Sequence, residues 1–386
     1  MNLELTNLLA AAVFDARTWT ELPGSYWITV FFAFGAVVGS FLNVCIHRMP
    51  RGESLVHPPS HCPHCDRRIR WRDNIPILAW LLLRGRCSNA ECRAPISPRY
   101  IVVEAMTGLC FAALWIQHGA EGPLAVVGWC LFMAALIVAT FIDLEHLIIP
   151  DEITMGGAVG GVILAVVAPR MHGSEYVWPA LKTSVIGAGL GAGIVFGMLE
   201  LGKLLFGRQK LDLPPDSHLV FTETDLHLPD VVLPYEDVFY RASDTLRFHA
   251  ARLELVDRCY RDVPVQLRLR ANLLRIGDEE IEAGTVLWMD AVTDQVSVPR
   301  EAMGFGDVKF MATIGAFTGW QGVLFTLLGS SLVGLAVNVV LILVGRRQWS
   351  ARIPFGPYLA AAAAGWILGG KEWFLAWFGP AMGMRG

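Results

Sequence analysis

The sequence predicts an all-α polytopic membrane protein of about eight transmembrane helices, joined to a cytoplasmic zinc-binding loop and an inserted small, mostly-β soluble domain. Of the 386 residues, 54% are hydrophobic and only 17% are charged, whereas about a quarter of the residues of soluble proteins are charged. Long apolar runs recur along the chain, except in a segment at about 208–300 that is less hydrophobic. The small net charge of −4 gives no reason to expect a nucleic acid as a partner.

Eight apolar runs approach the ~20 residues that a helix needs to cross a bilayer. They lie at about 26–45, 100–118, 124–142, 151–168, 181–206, 307–319, 321–344 and 354–370. The sixth run is short and rich in glycine, so we expect it to be tilted or broken. The predicted organisation is a first helix with its N-terminal segment, a loop, a helical part, an insertion and a second helical part, bounded at 1–45, 46–99, 100–206, 207–302 and 303–386.

Arginines concentrate in the segment 46–99, between the first two spans. Cytoplasmic loops near span ends carry an excess of Lys and Arg, so this segment is predicted to be cytoplasmic. Counting the spans from there puts Arg346, Arg347 and Arg352 on the same side. The turns near 119–123 and 319–322 contain no Lys or Arg and fall outside. The two basic clusters therefore agree on one orientation.

Between about 208 and 300 the hydrophobicity falls and apolar residues alternate with polar ones, as in TLRFH at 245–249, RLELV at 252–256 and VQLRLR at 265–270. Alternation of this kind predicts strands. Turn signals at 214–215, 277–278 and 283–284 separate the runs. We expect a small β-rich cytoplasmic domain; a long disordered loop is the alternative, which the aromatic and β-branched content argues against.

Two aspartates stand at predicted span ends. Asp143 ends the third span and Asp307 opens the sixth. Because the third span runs inward and the sixth starts at the cytoplasmic side, both carboxylates are predicted to lie at one depth. Two close carboxylates share one proton, which provides the acid and the base for amide hydrolysis without a metal or a covalent intermediate. The alternatives are capping or interfacial snorkelling for Asp143 and N-capping for Asp307.

Three charged neighbours are assigned other roles. Asp151 follows Pro150 and precedes an apolar run, so we interpret it as a helix cap. Glu145 is expected to shape the site from the interface without taking part in the chemistry. Lys309 should point away from Asp307 on a helix and neutralise lipid or substrate charge.

Four cysteines form two short-spaced pairs, Cys62 with Cys65 and Cys87 with Cys92. In a loop on the reducing side of the membrane they suit tetrahedral zinc better than disulfides. Four protein ligands leave no open position for water, so the zinc is predicted to be structural. The second pair has four intervening residues, and His61 and His64 are alternative ligands. Buried or disulfide-linked thiols are the competing interpretation.

These stretches resemble the type IV prepilin peptidases, also called leader peptidase/N-methyltransferases. The matching motifs are GSFLNVCIHRMP at 39–50, NIPILAWLLLRGRC at 74–87, SPRY at 97–100, FIDLEHLIIPD at 141–151 and GFGD at 304–307. They cover both membrane parts but not the insertion, and the family usually has two residues between the second pair of cysteines. The inserted domain is the largest departure from the family pattern; regulation, docking and lineage-specific addition are all open roles.

The resemblance implies that Asp143 and Asp307 are the catalytic pair of a membrane aspartic endopeptidase in the bacterial inner membrane, facing the cytoplasm. It implies that the substrates are type IV prepilins and type II secretion pseudopilin precursors, cut after a glycine. N-methylation of the new N-terminus with S-adenosylmethionine is also implied, but no residue pattern identifies its pocket. Two alternatives are another GxGD intramembrane protease, which the absence of a tyrosine before Asp143 disfavours, and a non-catalytic scaffold or transporter.

Overall fold

The computed structural model describes residues 23–206, 208–229, 232–239, 244–299, 304–344 and 354–378. The first 22 residues and the cluster of Arg346, Arg347 and Arg352 lie outside these ranges. The chain divides into two compact units. One comprises Met1–Phe196 with Phe305–Gly386, and the other Gly197–Gly304.

Helices account for most of the first unit. In chain order the described helices are α1 (Gly24–Arg48), α2 (Leu78–Leu82), α3 (Arg99–His118), α4 (Pro123–His146), α5 (Asp151–Val167), α6 (Val177–Phe206), α7 (Tyr235–Val238), α8 (Phe305–Leu343), α9 (Gly356–Gly365) and α10 (Lys371–Phe378). A short π-helical segment, Trp366–Gly370, joins the last two. The helix α7 is a single turn in the second unit.

Five of the described helical segments are long and apolar enough to cross a membrane. They are Gly24–Arg51, Arg99–Glu121, Pro123–His146, Val177–Gly202 and Phe305–Leu343. The predicted number of about eight is not confirmed. Two predicted spans, 307–319 and 321–344, fall in α8 on either side of its interruption at Gly319, while α5 has 17 residues and α9 has 10.

The helix α8 is interrupted at Gly319, whose φ of 70° is non-helical. A straight helix of 39 residues would be about 58 Å long, roughly twice the ~30 Å thickness of a hydrocarbon core. The interruption at Gly319 lies in the turn predicted near 319–322, between two predicted spans. Glycine is the residue that adopts a positive φ without a steric cost.

Close contacts between glycines and neighbouring backbones bring the membrane helices together. A Cβ added to Gly35 of α1 would lie 2.7 Å from the carbonyl oxygen of Thr107 in α3. A Cβ added to Gly187 of α6 would lie 2.1 Å from the carbonyl oxygen of Gly315 in α8. Small residues at these crossings let helix backbones approach one another, as is usual within membranes.

The second unit contains one eight-stranded sheet. Its strands are β1 (Arg208–Phe221), β2 (Asp225–His227), β3 (Val232–Pro234), β4 (Leu246–Leu255), β5 (Cys259–Arg268), β6 (Leu273–Ile276), β7 (Glu279–Glu282) and β8 (Met289–Pro299). The order is β3-β2-β1-β8-β4-β5-β6-β7, and all neighbours are antiparallel. The predicted strands are confirmed, whereas the all-α class is not confirmed for the chain.

The first and last strands of this sheet pair along their whole length. The register runs from Arg208 opposite Pro299 to Phe221 opposite Met289, with a shift between Asp212 and Ser217. The predicted turn at 214–215 falls in that shift, so it bends β1 without ending it. Phe221 and Phe248 stack in the core with ring centroids 5.7 Å apart.

Candidate active site and metal centre

The four predicted cysteines come together. Their Sγ atoms all lie within 4.8 Å of one another, and the group contains neither His61 nor His64. The Sγ atoms of Cys62 and Cys92 are 3.9 Å apart, and those of Cys65 and Cys87 are 4.0 Å apart. Sulfurs at ~2.3 Å from a tetrahedral zinc are separated by roughly 3.8 Å. The four thiols therefore fit a tetrahedral metal ion, and all are free of disulfides.

Each cysteine pair is held by a small hairpin of its own. The backbones of His61 and Arg68 form an antiparallel β-bridge in the first hairpin, and those of Arg86 and Pro95 form one in the second. The residue after the second cysteine of each pair has a positive φ, 53° at Asp66 and 48° at Arg93. The two extra residues between Cys87 and Cys92 are thus absorbed by a longer turn, and the departure from the family spacing leaves the four-thiol arrangement intact.

The thiols of the cluster differ in acidity. The backbone N–H of Arg67 stabilises the Cys65 thiolate and lowers its pKa to about 7. The backbone N–H of Ala94 favours the Cys92 thiolate, but burial and the neighbouring thiols outweigh it and raise the pKa of Cys92 to about 11. Four negative charges so close together repel one another, so a cation among them is what allows all four to ionise.

Asp143 is buried in the last turn of α4, with 5% of its surface exposed. The helix ends just beyond it because Leu147 adopts a left-handed conformation, with its N–H donating to the Asp143 carbonyl over 3.0 Å. Pro150, three residues later, cannot continue a helix. The sequence thus ends α4 one turn after the carboxylate.

The N–H of Gly356, at the start of α9, donates to Oδ2 of Asp143 over 2.9 Å. A Cβ on Gly356 would lie 2.6 Å from the same oxygen, so only glycine fits. Sequence reasoning missed this residue because a backbone donor has no side-chain signature. Its available signal is the PFGP run at 354–357, where glycine and proline open an apolar segment.

Asp307 is buried in the first turn of α8, with 9% of its surface exposed. A Cβ added to the preceding Gly306 would lie 3.7 Å from the Cβ of Ile149, and one added to Gly356 would lie 3.1 Å from Cδ1 of Ile149. Ile149 therefore borders both the residue before Asp307 and the residue that binds Asp143.

Asp151 and Lys309 have different roles from those predicted. Pro150 is the N-cap of α5, and Asp151 makes no capping hydrogen bond. Instead, Oδ1 of Asp151 accepts a hydrogen bond from Nζ of Lys309 over 2.7 Å. The cap interpretation is therefore wrong, and Lys309 contacts a carboxylate of the chain itself. This ion pair ties the start of α5 to the first turn of α8, two residues from Asp307.

A second ion pair lies two residues from Asp143. The guanidinium of Arg99, at the start of α3, contacts both carboxylate oxygens of Glu145, at 2.5 and 2.6 Å. Glu145 thus engages a neighbouring helix, in keeping with a supporting role. Each of the two aspartates is followed, two positions later, by a charged residue that is paired with another helix.

Two stretches of the chain match known protein families. Residues 33–118 match the Bacterial Peptidase A24 N-terminal domain. Residues 130–209 and 281–339 match the Type IV leader peptidase family. Together these matches cover more than half of the chain, and the gap from 210 to 280 falls within the inserted sheet.

Curated relatives carry the same kind of name. A Prepilin leader peptidase/N-methyltransferase of Aeromonas hydrophila is 29% identical over 371 residues, covering 90% of this chain and 91% of the relative. One of Myxococcus xanthus is 38% identical over 207 residues, 53% of this chain and 58% of the relative. A Type 4 prepilin-like proteins leader peptide-processing enzyme of Escherichia coli is 43% identical over 152 residues, 34% of this chain and 54% of the relative. No solved structure matches the chain.

Proposed function

Because the chain belongs to the type IV leader peptidase family, we propose that it removes the leader peptide of type IV prepilins and pseudopilins and then methylates the new N-terminus. It is a multi-pass membrane protein, and we infer that it works at the cytoplasmic face of the bacterial inner membrane. The observation that carries the proposal is the burial of Asp143 and Asp307 at two helix ends. Gly356, which binds Asp143, and Gly306, which precedes Asp307, both lie beside Ile149.

The two aspartates act as one acid–base unit that shares a proton. The ionised carboxylate takes a proton from a water molecule, whose oxygen attacks the carbonyl carbon of the scissile peptide. The protonated carboxylic acid donates its proton to the carbonyl oxygen. When the tetrahedral intermediate collapses, the peptide C–N bond breaks and the amine leaves with the proton that the first carboxylate took from water. A hydroxyl of the intermediate returns a proton to the second carboxylate.

The bond from Gly356 determines how Asp143 can work. It occupies Oδ2, while Oδ1 has no hydrogen-bond donor within the described part of the chain. A fixed carboxylate with one oxygen available is suited to exchange a proton with a water or a substrate atom at a single position. Asp143 is therefore oriented before the substrate arrives.

Zinc is the metal we propose for Cys62, Cys65, Cys87 and Cys92. Four sulfur ligands saturate a tetrahedral ion, so the metal would hold the two hairpins of the loop together and would not bind water. The ion would supply stability to the loop, and no step of the peptide cleavage depends on it.

Methyl transfer follows cleavage, since its acceptor, the N-terminal amine of the mature pilin, exists only after the cut. S-adenosylmethionine is the proposed methyl donor, as the names of the relatives imply. None of the contacts described above is assigned to this donor.

Mass spectrometry of a precursor peptide, incubated with the purified full-length protein and S-adenosylmethionine, tests both reactions. We expect loss of the leader mass, followed by a gain of one methyl group on the product. Replacing Asp143 or Asp307 with Asn should lower the cleavage rate by about 10⁴-fold or more, because the two groups act as a unit. Glu175→Gln, a change of an exposed carboxylate distant in sequence from both aspartates, is the matched control.

A scaffold or transporter would behave differently. In that case the precursor would keep its leader mass, or both Asn variants would match the unaltered protein. Either result, with the variants retaining normal zinc content and size in detergent, would overturn the assignment of Asp143 and Asp307.

A further inference from the structure

The short helix α2, in the cysteine loop, has two dissimilar sides. On the inner side Ala79 is buried, and Nε1 of Trp80 donates to the Ile96 carbonyl over 3.3 Å. The outer side is apolar yet exposed, and we call it the leucine face. It comprises Leu78, Leu81 and Leu82, which are 56%, 53% and 82% exposed. Positions i, i+3 and i+4 share one side of a helix, so the three side chains form a continuous surface.

The start of α2 is attached to a membrane-spanning helix. The N–H of Ile77 donates to Oε2 of the buried Glu104 over 2.7 Å. Glu104 lies five residues after Arg99, the first residue of α3, which corresponds to about 7.5 Å along the helix. The leucine face therefore begins beside the inner part of a span and not at a distance from the membrane.

A sharp turn fixes the direction in which α2 leaves this attachment point. Ile77 has a φ of 64°, and the N–H of Leu78 donates to the Pro76 carbonyl over 2.6 Å. This is a γ-turn of the rare, strained type. The hydrogen bond to Glu104 holds the turn, so the first residue of α2 follows directly on a point attached to α3.

Basic residues flank the leucine face in the sequence. The exposed arginines on either side are Arg67, Arg68, Arg70, Arg72, Arg84 and Arg86. Within the described ranges none of the six forms an ion pair. Trp71, between two of them, is 82% exposed. An apolar helix face with tryptophan and arginine beside it is the pattern of a segment lying in the interface of a bilayer with anionic lipids.

We propose that the leucine face inserts into the cytoplasmic lipid interface of the protein's own bilayer, with Arg84 and Arg86 at the phosphates of anionic lipids. The apolar helix of a precursor is the other occupant to consider. The arginines argue against it, because they would repel the basic leader that precedes such a helix. This surface does not depend on the cleavage activity.

Photo-crosslinking distinguishes the two occupants. Full-length protein with Leu82→p-benzoylphenylalanine is placed in vesicles of phosphatidylglycerol and phosphatidylethanolamine, together with a precursor peptide. We expect phospholipid adducts several-fold more often than for Val56→p-benzoylphenylalanine. Val56 is 74% exposed in the same loop and serves as the matched control. Adducts mainly with the peptide, or lipid adducts no more frequent than at position 56, would overturn the proposal.

The contribution of charge is tested in the same background. Replacing phosphatidylglycerol with phosphatidylcholine should lower the yield of lipid adducts several-fold. Arg84→Gln with Arg86→Gln should remove most of that difference between the two lipids, while zinc content stays unchanged. If the yield is the same with both lipids before any arginine is changed, the contact with anionic headgroups is refuted.

Discussion

The cysteine cluster and the aspartate region are built in opposite ways. The cluster is held by two hairpins, in which His61 lies opposite Arg68 and Arg86 opposite Pro95. The backbone hydrogen bonds that close them join residues at most 11 positions apart. Asp143 is held by Gly356, 213 positions away. A local site depends on its own segment, whereas a site between helices depends on the packing of the entire membrane unit. Changes should therefore affect the two regions independently.

Gly356→Ala is expected to show the largest difference between the two regions, because it should lower cleavage without affecting the cysteine loop. The new Cβ would lie 2.6 Å from Oδ2 of Asp143 and must displace the carboxylate. A displacement of this size at a reacting group lowers kcat/KM by about 10²-fold. Cleavage of a precursor peptide is the measurement, with zinc content as evidence that the cysteine loop is unaffected.

Gly365→Ala is the matched control, since a Cβ there would lie 4.0 Å from its nearest neighbour in Phe325. It should cleave like the unaltered protein. Equal activity of the two alanine variants would show that Gly356 does not position Asp143.

Removing the metal probes the other region. Chelation, or Cys87→Ser, should open the two hairpins, because the remaining thiols would lose the zinc ion proposed to join them. Hydrogen exchange of residues 61–95 should then accelerate by about tenfold or more, while cleavage falls less than for Gly356→Ala. Cys259→Ser, which alters an exposed cysteine of the sheet unit, is the control. Complete loss of cleavage on chelation would contradict the independence of the two regions.

The ion pair of Arg99 with Glu145 ties the start of α3 to the end of α4, which carries Asp143. A double-mutant cycle with Arg99→Gln and Glu145→Gln should give a coupling of about 1 kcal/mol in the free energy of activation for cleavage. The side chains are 18% and 39% exposed, so solvent screening limits the effect. Additive effects of the two changes would mean that the pair does not support Asp143.

The smallest effect is expected at Lys309 and Asp151. The Asp151 side chain is 67% exposed, and exposed pairs contribute roughly 0.2–1 kcal/mol. Lys309→Gln should therefore reduce kcat/KM only a few-fold, and Asp151→Asn should add little to it. A loss as large as for Asp307→Asn would instead assign Lys309 to the chemistry.

Local patterns made the cysteine cluster predictable from the sequence. The four cysteines lie within one short stretch of the chain, Cys62, Cys65, Cys87 and Cys92. Their spacing in two pairs is the one that tetrahedral zinc sites use. The ends of α4 and α8 could also be predicted at Asp143 and Asp307, because each aspartate interrupts an apolar run.

Long-range features were not predictable in the same way. Hydropathy separated the runs 307–319 and 321–344 at the point where α8 is interrupted, but a window average could not give the backbone angle of Gly319 that makes the interruption. Asp151 was interpreted as a cap because its partner, Lys309, is 158 positions away. Gly356 was not predicted as a site residue, because it contributes only a backbone N–H. Nearly every residue has this group, so the sequence does not distinguish the one that binds Asp143.

The pairing of β1 with β8 has a consequence for how this chain acquired and tolerates its extra domain. Opposed residues of antiparallel strands are separated by only about 5 Å. The first residue of β1, Arg208, lies opposite the last residue of β8, Pro299. The polypeptide therefore enters and leaves the sheet at two neighbouring residues. Another module with adjoining ends could therefore be exchanged for it by cutting at these two residues alone.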